Sequence, residues 1–143
     1  MNTAINELIN SVEKLIPSYL KNKEDLEIGN GNLALVIIDE DKNVYGKMFG
    51  TDMNRMRQSY KIAWIKASQV WITGYKTGQF EELAYAGKID EESFGIMRPD
   101  YIGWEGGQPI TLKNGAKLSV GFSGMRGIND LEIVVKAQEL AGL

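Results

Sequence analysis

The sequence predicts an α+β domain, because its helices and strands fall in separate runs and do not alternate. Two pairs of short apolar segments are each joined by a tight polar turn, the pattern of antiparallel hairpins. Three further stretches carry apolar residues at helical spacing. The resulting order is helix, hairpin, long helix, variable segment, hairpin, helix, which argues against a doubly wound parallel sheet. At 143 residues the chain has the usual length of one domain, taken as residues 1–143, and can hide roughly 68–70% of its unfolded surface.

Each element has its own signal. Ile5, Leu8, Ile9, Val12, Leu15 and Ile16 lie on one helix face, with Thr3 as the expected N-cap and Pro17 expected to kink or end the helix. A polar connection follows through Gly31. Leu33-Ala34-Leu35-Val36-Ile37-Ile38 is continuously apolar and bounded by Gly31 and Asp39, which predicts a strand covered on both faces. Glu40-Asp41-Lys42-Asn43 is a turn, and Val44 to Phe49 completes the first hairpin. Thr51 or Asp52 caps a helix running from about Met53 to Lys76. Its apolar residues, among them Met56, Tyr60, Trp64, Val70, Trp71 and Ile72, spread over far more than the roughly 100° stripe of an ordinary surface helix. Such a helix needs a second cover, and a subunit interface is the expectation. Between 77 and 105 only Phe80 to Ala86 suggests a helix, Asp90-Glu91-Glu92 reads as a solvated turn, and Pro99 through Gly107 reads as an ordered loop. Ile110 to Lys113 and Ala116 to Phe122 flank Asn114-Gly115, the composition of a type I′ hairpin turn. Leu131, Val134, Val135, Gln138 and Leu140 predict a final helix with Asp130 near its positive end.

Composition excludes several functions. With 16 basic against 19 acidic residues the chain lacks the footprint of a nucleic-acid binder and has no polybasic membrane patch. It contains neither Cys nor His, which removes disulfides, thiol nucleophiles, thiolate metal sites and the commonest general base. Asn2, Asn6, Glu7, Asn10, Glu13 and Lys14 break up the N-terminus, leaving no apolar signal-peptide core or membrane span, so a cytoplasmic location is expected.

Four segments, in order, resemble the GlcG/HbpS family, whose relatives include the C-terminal domain of PduO-type proteins. These are Leu33 to Asp39, the helical Ser59-Tyr60-Lys61-Ile62-Ala63-Trp64-Ile65-Lys66-Ala67, Gly106-Gly107-Gln108-Pro109, and Val120-Gly121-Phe122-Ser123-Gly124 with Asp130 six residues on. The resemblance covers about residues 33–140. It implies a profilin-like or PAS-like sandwich with a five-stranded antiparallel sheet flanked by helices. It also implies a homo-oligomer, and binding of haem or another small molecule. Lys47-Met48-Phe49-Gly50 stands where the family often carries Arg-Met-Asp-Gly, and Arg126-Gly127 replaces a frequent Thr-Pro. Since histidine is absent, haem iron would have to be held by Met, Tyr or Lys, or left without a strong axial bond.

The expected ligand contacts are Met48, Phe49, Met56, Tyr60, Trp104, Gly106, Gly107, Gln108 and Pro109. The glycines let backbone N–H groups approach a ligand, and the aromatic and Met side chains offer adaptable apolar surface for a flat one. Gly121-Phe122-Ser123-Gly124-Met125 nearly matches a hydrolase elbow, but Met stands at its last position and no imidazole is present, so Ser123 is read as a strand end or cap. Asp39, Glu40 and Asp41 are explained by their turn, and no metal site is expected. Lys66 is read as an ion-paired or solvated helix residue or, if desolvated, an amine catalyst. Two alternatives to a haem- or metabolite-binding accessory protein stay open: a cofactor-free enzyme acting on a small hydroxy or keto compound, signalled by a buried Lys66 or a perturbed pocket acid, and a purely structural subunit.

Overall fold

The computed structural model describes residues 2–143. In chain order the elements are α1 (Asn2–Leu20), α2 (Lys23–Gly29), β1 (Leu33–Ile38), β2 (Val44–Phe49), α3 (Met53–Thr73), α4 (Thr77–Tyr85), β3 (Gly107–Thr111), β4 (Lys117–Ser123) and α5 (Gly127–Leu140), with a 3-10 turn at Glu91–Phe94. The strands form one antiparallel sheet of four in the order β2-β1-β4-β3. The expected fifth strand is not found among the described residues. The span 86–106 carries Gly87, Gly95, Pro99, Gly103 and Gly106 with no apolar alternation, and it folds as turns against α3 and α4.

Helices cover both faces of the sheet, and this makes β1 buried at every position. On one face, Leu33, Leu35 and Ile37 meet Ile5, Leu8 and Val12 of α1 and Ile133, Val134 and Ala137 of α5. On the other, Ala34, Val36 and Ile38 meet Ala63 and Ala67 of α3. Alternation along a strand separates these two sets, and burying each Leu, Ile or Val side chain stabilises the fold by about 1.5–3 kcal/mol.

The second face is thin because α3 lies almost directly on the backbone of β4. A Cβ added to Gly121 would sit 2.2 Å from the Ala63 carbonyl oxygen and 2.7 Å from the Ala67 nitrogen. Glycine is the residue that permits this approach. The buried stripe of α3 is therefore small and partly polar (Ser59, Ala63, Lys66, Ala67, Gln69, Val70 and Thr73), while Tyr60, Trp64, Trp71 and Ile72 are exposed on its outer side.

Local details depart from expectation in readable ways. Thr3 lies inside α1 and does not cap it, and the helix runs through Pro17 to Leu20. Pro17 is on the exposed side, where the Glu13 carbonyl left without its helical donor can take water. The connection after α1 contains α2, capped by the Asn22 side chain on the Glu24 and Asp25 nitrogens and stopped by left-handed Asn30. Asp52 caps α3 by accepting from the Arg55 nitrogen at 3.2 Å. That helix stops at Thr73, short of Lys76, because Gly74 turns left-handed with φ +77°. The Asn114-Gly115 turn is not type I′, since only Gly115 has positive φ there. Gly115 N donates to Leu112 O and Leu112 N to Ala116 O, a three-residue loop with Gly in the left-handed position. The Asp39–Asn43 turn repeats this pattern with Lys42 left-handed, and Asp39 spends its carboxylate on the Asp41 and Asn43 nitrogens at 2.9 Å each.

Among the described residues no helix is long and apolar enough to cross a membrane, and no cluster of three or more potential metal-ligating acids, His or Cys occurs.

Candidate functional site

A cleft of about 980 Å³ opens between α3, the 103–105 loop and the turn from β4 into α5. Its α3 wall is a helical row, Arg55, Gln58, Ile62 and Lys66, joined by Lys61. Trp104 and Glu105 form the loop side, and Ser123 through Ile128 form the third side, with Ile28 of α2 closing one end. Ile28, Ile62, Trp104, Met125 and Ile128 supply apolar surface, and Trp104 is 65% exposed at the mouth.

Two of the lining residues form a buried ion pair. Lys66 Nζ lies 3.2 Å from Asp130 Oδ2, with both side chains 3% exposed. The amine also donates to the Phe122 carbonyl at 2.8 Å, while Asp130 Oδ1 accepts from the Met125 nitrogen at 3.0 Å. Burial lowers the Lys66 pKa and raises that of Asp130; each is the other's main counterweight, and neither fully offsets the loss of water. Gly106, with φ +129°, lies over the pair: a Cβ there would come within 2.5 Å of Lys66 Nζ and of the Phe122 oxygen. Glycine at 106 is thus required twice, by conformation and by space.

A second charged network holds the opposite wall. The fully buried Asp25 carboxylate accepts from Arg126 Nε at 3.0 Å, Arg126 Nη2 at 3.2 Å, the Arg126 backbone nitrogen at 3.1 Å and Asn129 Nδ2 at 2.7 Å. Burial alone would push its pKa up, but these hydrogen bonds and the guanidinium charge carry it below the ordinary carboxylate value. This arrangement joins α2 to the start of α5. Arg55 is steadied by Ser59 Oγ at 2.8 Å and the Ile28 carbonyl at 3.1 Å. On the loop side, Gln69 clasps Ile102 through both its amide atoms at 2.9 and 2.8 Å, Thr77 Oγ1 donates to the Trp104 carbonyl, and Phe80 packs edge-on against Tyr101 with centroids 5.3 Å apart. These contacts position the otherwise irregular 86–106 segment.

The residues expected at a ligand site are dispersed. Trp104 lines the cleft and Gly106 lies behind its ion pair. Gly107 lines a smaller neighbouring cleft of about 410 Å³ with Lys76, Gln79 and Glu82. Gly107, Gln108 and Pro109 belong to edge strand β3 and not to a loop. Gln108 is buried and donates to the Leu131 carbonyl at 2.9 Å, and Pro109 is exposed. Phe49 points into the α1/α5 core. Met48, one residue away, is half-exposed on the α3 side, as are Met56 and Tyr60, whose ring lies over Gly46; none of these lines the large cleft. Arg55, Lys61, Arg126 and Asp25 were not anticipated. The legible signal was Lys66, a lysine within the small apolar stripe Ala63, Ala67, Val70.

No protein-family model matches the sequence, and no curated protein matches it significantly. Solved structures do. Klebsiella pneumoniae protein ORFY, described as DUF336, superposes with a TM-score of 0.71 at 17% identity, over 99% of this chain and 90% of that one. A double mutant of Streptomyces reticuli HbpS gives 0.68 at 14% identity, over 98% and 85%. The PduOC:heme complex gives 0.67 at 12% identity, over 97% and 92%. The chain has the GlcG/HbpS fold. At these identities the likeness establishes the architecture, and the four short motifs of the sequence fall within it.

Proposed function

We propose that this chain is a GlcG/HbpS-type ligand-binding accessory protein of the cytoplasm, and that its large cleft takes a planar, anionic small molecule, haem being the specific candidate. The observation that carries this is the composition of the cleft wall: a volume at the upper end of small-molecule sites, apolar side chains from three elements, and Arg55 and Lys61 on α3. A haem-bound relative of the same fold supports the choice of ligand. Ile62, Trp104 and Ile128 would meet the ring faces, and Arg55 and Lys61 the carboxylates. Bound haem would supply an iron centre. The lining offers no imidazole or thiolate, and Met125 is 3% exposed, so affinity rests on apolar contact and charge. The residues thus fit the ring and its acids better than the iron.

Titration with haemin tests this. A sharp Soret band saturating at one haem per chain is expected, with iron-free protoporphyrin binding comparably. Trp104→Ala should weaken both by about three- to tenfold, the worth of one aromatic contact. A broad, non-saturating band indifferent to Trp104→Ala sinks the reading.

The same proposal includes a homo-oligomer formed through α3 (the 53–76 region). Trp64, Trp71 and Ile72 are exposed on it, with Tyr60 beside them, an apolar surface suited to a second copy. Light scattering should give a dimer or larger; a clean monomer at micromolar concentration ends this part.

A further inference from the structure

We propose that Lys66 is a carbonyl-capturing amine, which forms an imine with a small oxo acid entering the cleft. The inference rests on the cleft being a ligand site but not on haem being its ligand. Three observations carry it. First, Lys66 is one of the residues lining the cleft, on a rigid helix, with its side chain 3% exposed. Second, an ammonium has three protons; two go to the Phe122 carbonyl and Asp130, and the third has no acceptor among the described residues. Third, Gly106, buried behind the pair, adds no side chain against Nζ, where a Cβ would stand 2.5 Å away. Burial, which disfavours the charged amine, makes the neutral nucleophile more accessible than on a surface lysine.

Asp130 completes the chemistry. In the resting pair Lys66 holds the proton; passing it to Asp130 leaves a neutral amine whose lone pair attacks the carbonyl carbon. The π electrons move to oxygen, which takes the proton back from Asp130 and becomes the carbinolamine hydroxyl. A second amine proton, relayed by the same carboxylate, lets that hydroxyl leave as water. The balance is ammonium plus ketone giving protonated imine plus water, with no outside reagent. Beyond the buried pair, and with Arg126 already matched by Asp25 and Glu24, the lining has Arg55 and Lys61 against Glu105, and the first turn of α5 also faces the cleft with its positive dipole end. An anionic carbonyl compound is the substrate class these favour.

The test is reductive trapping on the full chain: pyruvate with sodium cyanoborohydride at neutral pH, read by intact mass and peptide mapping. One adduct per chain is expected, located at Lys66 and at least tenfold above any other lysine. Lys66→Arg should abolish that adduct, and Asp130→Asn should slow it at least tenfold with folding checked by circular dichroism. Wild-type protein labelled only at surface lysines, with Lys66 unmodified, overturns the proposal without recourse to any variant. A Soret band without trapping retains the haem reading and removes this one; trapping without a Soret band does the reverse.

Discussion

Replacing Asp130 with Asn removes one charge from a pair sealed at 3% exposure on both sides. Asn keeps an oxygen for the Met125 nitrogen, and Lys66 keeps the Phe122 carbonyl, so the loss is chiefly that of the counter-charge. Removing one partner of a buried pair costs about 3–5 kcal/mol, and the retained hydrogen bonds put this case near 3. Lys66 also has an escape, since burial already eases its deprotonation. For a chain of this length about 3 kcal/mol corresponds to a fall in Tm of roughly 9 °C, out of a total stability of about 5–15 kcal/mol. Replacing both residues, Lys66→Met with Asp130→Leu, removes the desolvation cost with the attraction and should return to within about 1.5 kcal/mol of the parent. Urea and thermal unfolding of the three proteins, followed by circular dichroism, measure this directly. An Asp130→Asn variant melting within 3 °C of the parent, or a double variant less stable than Asp130→Asn, would refute the account of a tight, poorly solvated pair.

Gly121→Val should prevent stable folding or cost at least about 3 kcal/mol, because its Cβ would overlap the α3 backbone; soluble yield and melting temperature report it. Asp25→Asn should act on the acid limb. Its folded pKa is depressed, so its stabilisation is present above the ordinary value of 3.8 and fades as pH falls through the folded value; parent and variant should converge in stability at low pH, seen by pH-resolved unfolding. Trp64→Glu with Trp71→Glu places charges on the exposed side of α3 and should yield a folded monomer by light scattering with an unchanged melting profile below the assembly concentration.

Much of the architecture was legible in local pattern. β1 is apolar throughout because both its faces are covered, and the two hairpins announce themselves by their turns. What misled was fine chemistry. Asn-Gly suggested two positive-φ residues, yet the loop adopts a three-residue form with one, and Pro17 is tolerated because its side of α1 faces water. The outer aromatic face of α3 was likewise visible as an excess of apolar residues. Its buried face was not, because an alanine–lysine stripe reads as core only once Gly121 is known to lie beneath it.

By itself the sequence determined the class of fold and the absence of imidazole and thiol chemistry, since periodicity and composition are local properties. Only the tertiary structure decided where a cleft opens and which charges share it. Lys66 and Asp130 are 64 residues apart in the chain, and Asp25 and Arg126 are 101 apart. Such pairings depend on how α2, α3 and α5 are set against the sheet, and no spacing along the chain encodes that.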